Sequence, residues 1–332
     1  MPASKRIAVW MSDKKLQKMN WLEFEAVCLS HGFEVFKLDL DESLQAQEPF
    51  CVFLHKLTDI IASANLGDIK NSISNSYPLF QNFNKIQEIE KYISQNPTLT
   101  VIDPLPNVRK LLDRYNCYSI IHSTNLYTYD VFTPNFCTLQ STNLDVLKQQ
   151  LKLAKVTYPF ICKPLLGHGS RKAHEMSIIF NEKCLIDIRT PCVAQSFINH
   201  NAVLFKIFIV GKRHCFVERP SLKNFHACES ETIYFDSSDV SKADSKSRLS
   251  VLDPDDVTNE KVQPNKKTLE VIANTLRKAF GMELLGVDVV IERNTKKYAI
   301  IDVNAYPGYD GFPNFFDALL ECISKKITSD YT

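Results

Sequence analysis

The sequence predicts an α/β protein of two or three lobes, the first built on an open, mostly parallel sheet. Three observations carry this. A chain of 332 residues exceeds what one small core organises. Its first hundred residues alternate strand-like and helix-like segments, the rhythm of βαβ units. Near the C-terminus, Gly286 to Glu292 (GVDVVIE) and Tyr298 to Asn304 (YAIIDVN) are β-branched runs joined by the polar stretch Arg293 to Lys297, which reads as an antiparallel hairpin.

The elements follow in order. Arg6 to Ser12 is a strand, and Asn20 to Ser30 has helical spacing of Trp21, Phe24, Val27 and Cys28, stopped by Gly32. Phe33 to Leu40 and Pro49 to Leu54 are strands, Leu79 to Ser94 a helix, and Thr98 to Ile102 a strand ended by Asp103-Pro104-Leu105-Pro106. No G-x-G-x-x-G follows the first strand, which disfavours a dinucleotide site there. Asn107 to Ile121 reads as one helix, and Asn143 to Ala154 as another. Pro159 to Pro164 is a strand leading into the loop Leu165 to Ser170 (LLGHGS). Cys192 to Ile198 and Val203 to Val210 are strands, the latter turning at Gly211-Lys212 into Arg213 to Glu218. Asp236 to Lys267, rich in Ser, Asp, Lys and Asn, is expected to be a mobile loop. Thr268 to Phe280 is a helix with Leu269, Ile272, Leu276 and Phe280 on one stripe, closed by Gly281.

Hydrophobic content of 45% and charge of 23% place the chain among ordinary globular proteins. No apolar run approaches the ~20 residues of a membrane span, and the first residues enter a strand without a secretory core. The ten cysteines are scattered with no C-x-x-C, which fits reduced thiols in the cytoplasm and argues against a structural zinc. A net charge of +1 excludes a strong bulk pull on nucleic acid or membrane. The expectation is therefore a cytoplasmic protein with neither partner; it is expected to be a monomer, although nothing in composition or charge bears on oligomeric state.

The chemistry concentrates in a few residues. If Glu292 pairs with Tyr298, Asp288 falls opposite Asp302, Asn304 follows two residues on, and Val290 and Ile300 share that face. Like charges opposite each other destabilise a sheet, and a divalent cation removes the conflict. Mg²⁺ suits such a pair because it keeps positions for water and phosphate oxygens; the plainer reading is a solvated hairpin face. Lys163 ends an apolar strand just before a Gly-bearing loop, where an ammonium can reach nucleotide phosphates, or merely snorkel. Lys206 lies mid-strand between Phe205 and Ile207 and calls for an anionic partner unless it guards an exposed edge. His174 is either a phosphate donor and proton carrier or a structural histidine. Arg114 is either a bidentate phosphate contact or half of a surface ion pair. Lys15 and Lys56 each follow an N-terminal strand, where open sheets usually bind ligands.

Five stretches carry a family resemblance: HKLTD (55–59), PFICKPLLGHGSRKAHEMSIIF (159–180), CVAQSFINHNAVLFKIFIVG (192–211), RPSLKNF (219–225) and IDVNAYPGYDG (301–311). Together they resemble the ATP-grasp superfamily, and within it the inositol-tetrakisphosphate 1-kinase (inositol 1,3,4-trisphosphate 5/6-kinase) family. The loop before His174 departs from that pattern in the extra length of Arg171-Lys172-Ala173. The resemblance implies an ATP-grasp fold in which two α+β lobes clamp ATP, with lobes at 1–112, 113–196 and 197–330. It implies ATP and two Mg²⁺ ions as cofactors, with Asp288, Asp302 and Asn304 as metal ligands. Lys163, Arg114, Gln195, Ser196, Phe197, Ile198, Lys206, Ser221, Ser237 and Ser241 are the implied nucleotide contacts, with Val193 as a further apolar wall. Lys15, Lys56, His174, Lys206, Arg219, Asn304 and Gly308 are the implied contacts to an inositol polyphosphate. Lys163, His174 and Lys206 would act in phosphoryl transfer to a ring hydroxyl. Two rivals stand beside it: an ATP-grasp carboxylate-amine ligase, which needs fewer substrate-side cations, and a non-catalytic ATP or inositol phosphate binder.

Overall fold

Short apolar strands buried on both faces start the chain, as a parallel sheet requires. The computed structural model describes residues 5–69, 77–167, 171–257 and 262–329. The N-terminal elements are β1 (Lys5–Trp10), α1 (Asp13–Lys18), α2 (Trp21–Ser30), β2 (Phe33–Lys37), β3 (Val52–His55), α3 (Thr58–Ile69), α4 (Tyr77–Gln95) and β4 (Thr100–Ile102). The strands form one sheet in the order β2-β1-β3-β4, every neighbouring pair parallel. The expected open parallel lobe is present. Sequence pattern missed α1 and α3, and Phe33 to Leu40 is a strand only as far as Lys37.

Next come α5 (Leu105–Arg109), α6 (Arg114–His122), β5 (Val131–Phe132), β6 (Phe136–Leu139), α7 (Leu144–Leu153), β7 (Phe160–Pro164), β8 (Glu175–Ile179) and β9 (Cys192–Ser196). The single helix expected over Asn107 to Ile121 is two. Asp113 breaks it by leaving helical geometry and accepting the Asn116 N–H at 2.7 Å, so that it caps α6.

The last part holds β10 (Val203–Val210), β11 (Arg213–Pro220), β12 (Ile233–Asp236), α8 (Ser237–Val240), α9 (Lys266–Phe280), β13 (Leu284–Ile291), β14 (Tyr298–Ala305) and α10 (Phe315–Ser329). In α9 Asn265 caps the N-terminus and Gly281 ends the helix at φ 64°, in the left-handed region that glycine adopts without strain. The stretch expected as a mobile loop, Asp236 to Lys267, carries α8 and short 3₁₀ turns at Arg248–Ser250 and Pro254–Asp256. It is tied back where Lys223 Nζ meets Asp253 Oδ1 at 2.7 Å. Residues 258–261 of that stretch, and His168, Gly169 and Ser170 of the Gly-bearing loop, lie outside the described residues.

Two further sheets result, β12-β8-β7-β9-β6 and β11-β10-β13-β14-β5. They exchange strands. β5 precedes β6 in the chain yet pairs with β14, and β12 follows β11 yet pairs with β8. Each sheet therefore depends on a strand threaded from its neighbour, which fixes their mutual approach. One large apolar cluster joins all three regions, from Ala8 and Phe53 through Tyr118 and Val193 to Val287 and Ile300.

Candidate active site

The hairpin expected at the C-terminus is β13 with β14, and its acids meet. Asp288 pairs with Asp302, and Gly286 with Asn304. The route there differs from the one expected: Ile291, not Glu292, pairs with Tyr298, and Val289 pairs with Ile300. A bulge between Asp288 and Val289 takes up the difference by giving Ile301 no cross-strand partner. It also corrects the face assignment. Ile300 turns to the buried core beneath, while Val290 and Ala299 stay on the acid face with Leu204, flanked by Phe132, Ile198 and Ile301.

β10 supplies the counter-charge. Lys206 pairs with Asp288 in register, so Lys206, Asp288 and Asp302 form one row across three strands. Lys206 Nζ lies 2.9 Å from Asp288 Oδ1. Burial opposes the Lys206 ammonium, but the charge of Asp288, with that of Asp302 behind it, raises its pKa. Burial pushes the Asp288 carboxyl up; Lys206 pulls it down, and Asp302 adds to the rise. Asn304 Nδ2 sits 3.5 Å from Asp302 Oδ2.

These residues fit a hard divalent cation. Asp288 Oδ1 is buried without a well-directed hydrogen bond, and it faces a second carboxylate and an amide. Among the described residues no set of three His, Cys, Asp or Glu side chains forms a full protein cage. Two carboxylates with room for other oxygens is the Mg²⁺ pattern.

The central sheet brings Lys163 against this hairpin. Its Nζ donates to Gln195 Oε1 (2.7 Å), to the Ile301 carbonyl (2.8 Å) and to the Tyr118 hydroxyl (3.0 Å). The bulge explains the second contact: the Ile301 carbonyl is open to Lys163, and it also accepts from Tyr118 at 3.0 Å. Lys163 is only 4% exposed, and burial lowers its pKa to about 8 although Asp302 opposes the fall. Arg114 lies beside it at the start of α6. Its Nη1 donates to the carbonyls of Pro164 (2.9 Å) and Leu166 (3.1 Å), and its Nη2 to Ala173 (3.2 Å). The guanidinium thus gathers the carbonyls of Pro164, Leu166 and Ala173, while its Nε is buried without a partner among the described residues.

The segment after β9 follows the edge of the same face. Ser196 Oγ accepts from Thr157 N at 3.1 Å, and Phe197 N donates to the Pro159 carbonyl at 3.0 Å. Phe197 packs with Phe180, Phe225 and Leu222, whereas Ile198 belongs with Val290 and Ala299. Val193 lies in the large core cluster, fully buried. Ser221 meets His200 Nε2 at 2.7 Å, and the other ring nitrogen meets the Ile198 carbonyl at 2.5 Å. Burial lowers the His200 pKa to about 4, so the ring is neutral, donating to the carbonyl and accepting from Ser221. His174 is exposed with Nδ1 3.3 Å from Ser237 Oγ, and Ser241 Oγ donates to the Ser237 carbonyl at 3.0 Å.

The N-terminal lysines converge on the chain just past Asn304. Lys15 Nζ donates to the Pro307 carbonyl (2.7 Å) and Lys56 Nζ to the Tyr306 carbonyl (3.0 Å). Burial, then Lys56, lowers Lys15 to about 7; burial also lowers Lys56. Gly308 is exposed beside them, and Arg219 Nη2 donates to the Asp310 carbonyl at 2.9 Å. The sequence-predicted residues thus fall into four groups: the carboxylate row with Lys163, Gln195 and Arg114; the segment after β9, Ser196 to Ile198, with Ser221; the Tyr306–Asp310 turn with Lys15, Lys56 and Arg219; and the His174–Ser237–Ser241 edge. Tyr118 and His200 escaped sequence reasoning. Tyr118 looks like one more apolar residue of a helix; His200, inside QSFINHN, could have been found by asking what a histidine does between two asparagines.

Residues 127–325 match the family model described as the inositol 1,3,4-trisphosphate 5/6-kinase ATP-grasp domain, and residues 6–108 match that family's pre-ATP-grasp domain. The chain is 40% identical over 327 residues to inositol-tetrakisphosphate 1-kinase of Danio rerio, covering 97% of this chain and 79% of that one. It is 40% identical over 324 residues to the enzyme of the same name from Xenopus laevis, covering 96% and 78%. Among solved structures it resembles ATP-grasp ligase PsnB, complexed with a phosphomimetic variant of its minimal precursor, Mg and ADP, at TM-score 0.56 and 10% identity over 99% of both chains. At that identity the likeness speaks for the ATP-grasp fold alone.

Proposed function

This chain belongs to the inositol 1,3,4-trisphosphate 5/6-kinase family and is an inositol polyphosphate kinase, and we propose that it transfers the γ-phosphate of ATP, with Mg²⁺, to a ring hydroxyl of soluble inositol polyphosphates. The acceptors we propose are inositol 1,3,4-trisphosphate, at position 5 or 6, and inositol 3,4,5,6-tetrakisphosphate, at position 1. The observation that carries the reading is the row Lys206–Asp288–Asp302, with Asn304 beside it and Lys163 joined to it through the Ile301 carbonyl.

Asp288, Asp302 and Asn304 would hold two Mg²⁺ ions, which when bound neutralise charge on the β- and γ-phosphate oxygens. Lys163 and Lys206, on facing sheets, offset the charge of the transferring group from two sides. Phosphoryl transfer through a loose transition state gains mainly from such positioning and neutralisation, so no strong general base is needed. Ile198, with the buried Leu204, Val290 and Ala299 packed behind it, offers the apolar wall for the base, and Gln195 and Ser196 lead the strand toward it. His174, exposed beside Ser237, orients the acceptor or one of its phosphates. Lys15 and Lys56 supply the cations that a carboxylate-amine ligase would not need. Ten free cysteines fit a reducing cytoplasm.

The test is transfer of γ-³²P from ATP to a panel of inositol tris- and tetrakisphosphates, with and without Mg²⁺, for the wild type and Asp302→Ala. The expected result is Mg²⁺-dependent labelling that Asp302→Ala abolishes while the variant still melts cooperatively. Labelling that survives in Asp302→Ala would sink the metal assignment. ATP hydrolysis stimulated by amino acids, with no labelled inositol, would favour a ligase.

A further inference from the structure

Tyr306 is an unexpected residue where it stands. Its φ is 40°, in the left-handed region where a bulky side chain costs about 1–3 kcal/mol and Gly or Asn would fit more easily. It is 4% exposed, so the ring is held in place rather than free at the surface. Its hydroxyl has no hydrogen-bond partner among the described residues, and the residue helps line a cavity of about 10 Å³, room for a single water, together with His55, Lys56, Thr58 and Asp103. The hydroxyl therefore does not explain the aromatic side chain. The ring itself has two contacts: it packs in the apolar core against Tyr309, centroids 5.8 Å apart, and Lys15 Nζ lies over its face, 4.8 Å from the centroid.

Main-chain contacts point the same way. Tyr306 offers its own carbonyl to Lys56, and the next carbonyl, that of Pro307, takes Lys15. Two ammonium groups from the N-terminal lobe are thus seated on one turn of the C-terminal lobe, directly after Asn304. They repel each other there, and only groups that favour a cation can keep both in place. Neutral carbonyls and the negative face of a π-system are such groups, beside the charge of Asp310 acting on Lys15 and that of Asp59 on Lys56.

We propose that Tyr306 is a positioning residue for inositol phosphate binding, its ring and the adjoining carbonyls holding Lys15 beside Lys56 so that the two cations present a preformed polyphosphate seat. This rests on the reading of Lys15 and Lys56 as substrate contacts. Tyr306 touches no reacting atom. Its effect passes through Lys15 and so belongs to the affinity for the inositol phosphate, not to ATP or to the transfer step.

The experiment is a double-mutant cycle between Lys15→Met and Tyr306→Leu, read as KM for inositol 1,3,4-trisphosphate, KM for ATP and kcat. Tyr306→Leu is expected to raise KM for the inositol phosphate about tenfold, with KM for ATP and kcat within about twofold. Tyr306→Phe, which keeps the ring, is expected to stay within about twofold of wild type throughout. In the Lys15→Met background Tyr306→Leu is expected to add nothing. Should Tyr306→Leu not melt cooperatively, Tyr306→Met, closer in bulk, takes its place in the cycle. An additive loss in the Lys15→Met background, a Phe variant as impaired as Leu, or a fall in kcat at unchanged KM would overturn the proposal while leaving the substrate reading intact. A Lys15→Met enzyme with an unchanged KM for the inositol phosphate would remove that reading, and the proposal with it.

Discussion

Two lysines face each other across the site, and they are held in opposite ways. Lys163, on the central sheet, gives its ammonium donors to an amide oxygen, a hydroxyl and a carbonyl, all neutral. Lys206, on the C-terminal sheet, sits against the carboxylate of Asp288. Burial acts against both, but it wins at Lys163, which falls to about 8, and loses at Lys206, which is raised. Neutral acceptors satisfy a lysine's hydrogen bonds without replacing the hydration of its charge, whereas a carboxylate supplies the opposing charge as well. The consequences for stability have opposite signs. The fold disfavours the Lys163 charge in full below about 8, and that cost fades as pH rises toward the ordinary 10.5. Lys206 stabilises the fold below 10.5, and its contribution is lost as pH climbs through its raised pKa. Lys163 is thus the ammonium that a phosphate would relieve, while Lys206 is already matched and would be shared between Asp288 and a substrate.

The largest effect that could break this contrast is catalytic. Lys163→Met is expected to lower kcat/KM for ATP by about 10²–10³-fold while the melting temperature holds, because a desolvated charge leaves with the side chain. A loss below about tenfold would mean that Lys163 serves the packing of the two sheets and not the nucleotide. The next effect is on stability. Asp288→Asn takes the nearest carboxylate from Lys206, but Asp302 remains and a carboxylate that burial disfavours leaves with the change, so the expected cost is about 1–2 kcal/mol in chemical denaturation. That lies under the about 3–5 kcal/mol of a fully buried pair because the two side chains are 22% and 15% exposed. Adding Lys206→Met to Asp288→Asn should restore most of the loss; a double variant no more stable than the single would show that the pair does not act as one.

How much of this could be seen in the sequence depends on the range of each contact. The pairing of Asp288 with Asp302 was legible because alternation within two short strands fixes a face, and the bulge happened to restore the count at the acids. The bulge itself was not, since nothing in YAIIDVN marks Ile301 as the extra residue, yet it opens the carbonyl that Lys163 and Tyr118 both use. Lys206 could be recognised as needing an anion, and register with β13 supplied one. The helix break at Asp113 was missed although an Asp three residues before an Asn N–H is a capping signal; the apolar stripe of Leu111 and Leu112 ran through it. Lys15 with Pro307 and Lys56 with Tyr306 join residues some 250 to 290 positions apart. No local pattern announces those contacts; position after a strand of the parallel sheet marked the two lysines as candidates, and only the family resemblance gave them a substrate role.

The smallest of the expected effects sharpens the contrast by adding a third lysine to the neutral side. Lys15, like Lys163, is held by dipoles, a carbonyl and a ring, and it also has Lys56 nearby. Burial, then Lys56, with a smaller push from Lys18, lowers it to about 7, and Asp310 only partly opposes them. A lysine lowered in this way is charged below that value and neutral above it. If its charged form binds the inositol phosphate, the apparent KM should follow one plus the ratio of neutral to charged lysine. Between pH 6 and pH 8 that is about a tenfold rise. The ATP side should not share it, because Lys163 remains mostly charged until about 8. Lys15→Met should flatten the inositol phosphate profile over this range and leave the ATP profile as it was. Parallel rises for both substrates would place the titrating group elsewhere, and a profile flat to pH 9 in the wild type would mean that carbonyl and ring hold the Lys15 charge as firmly as Asp288 holds that of Lys206.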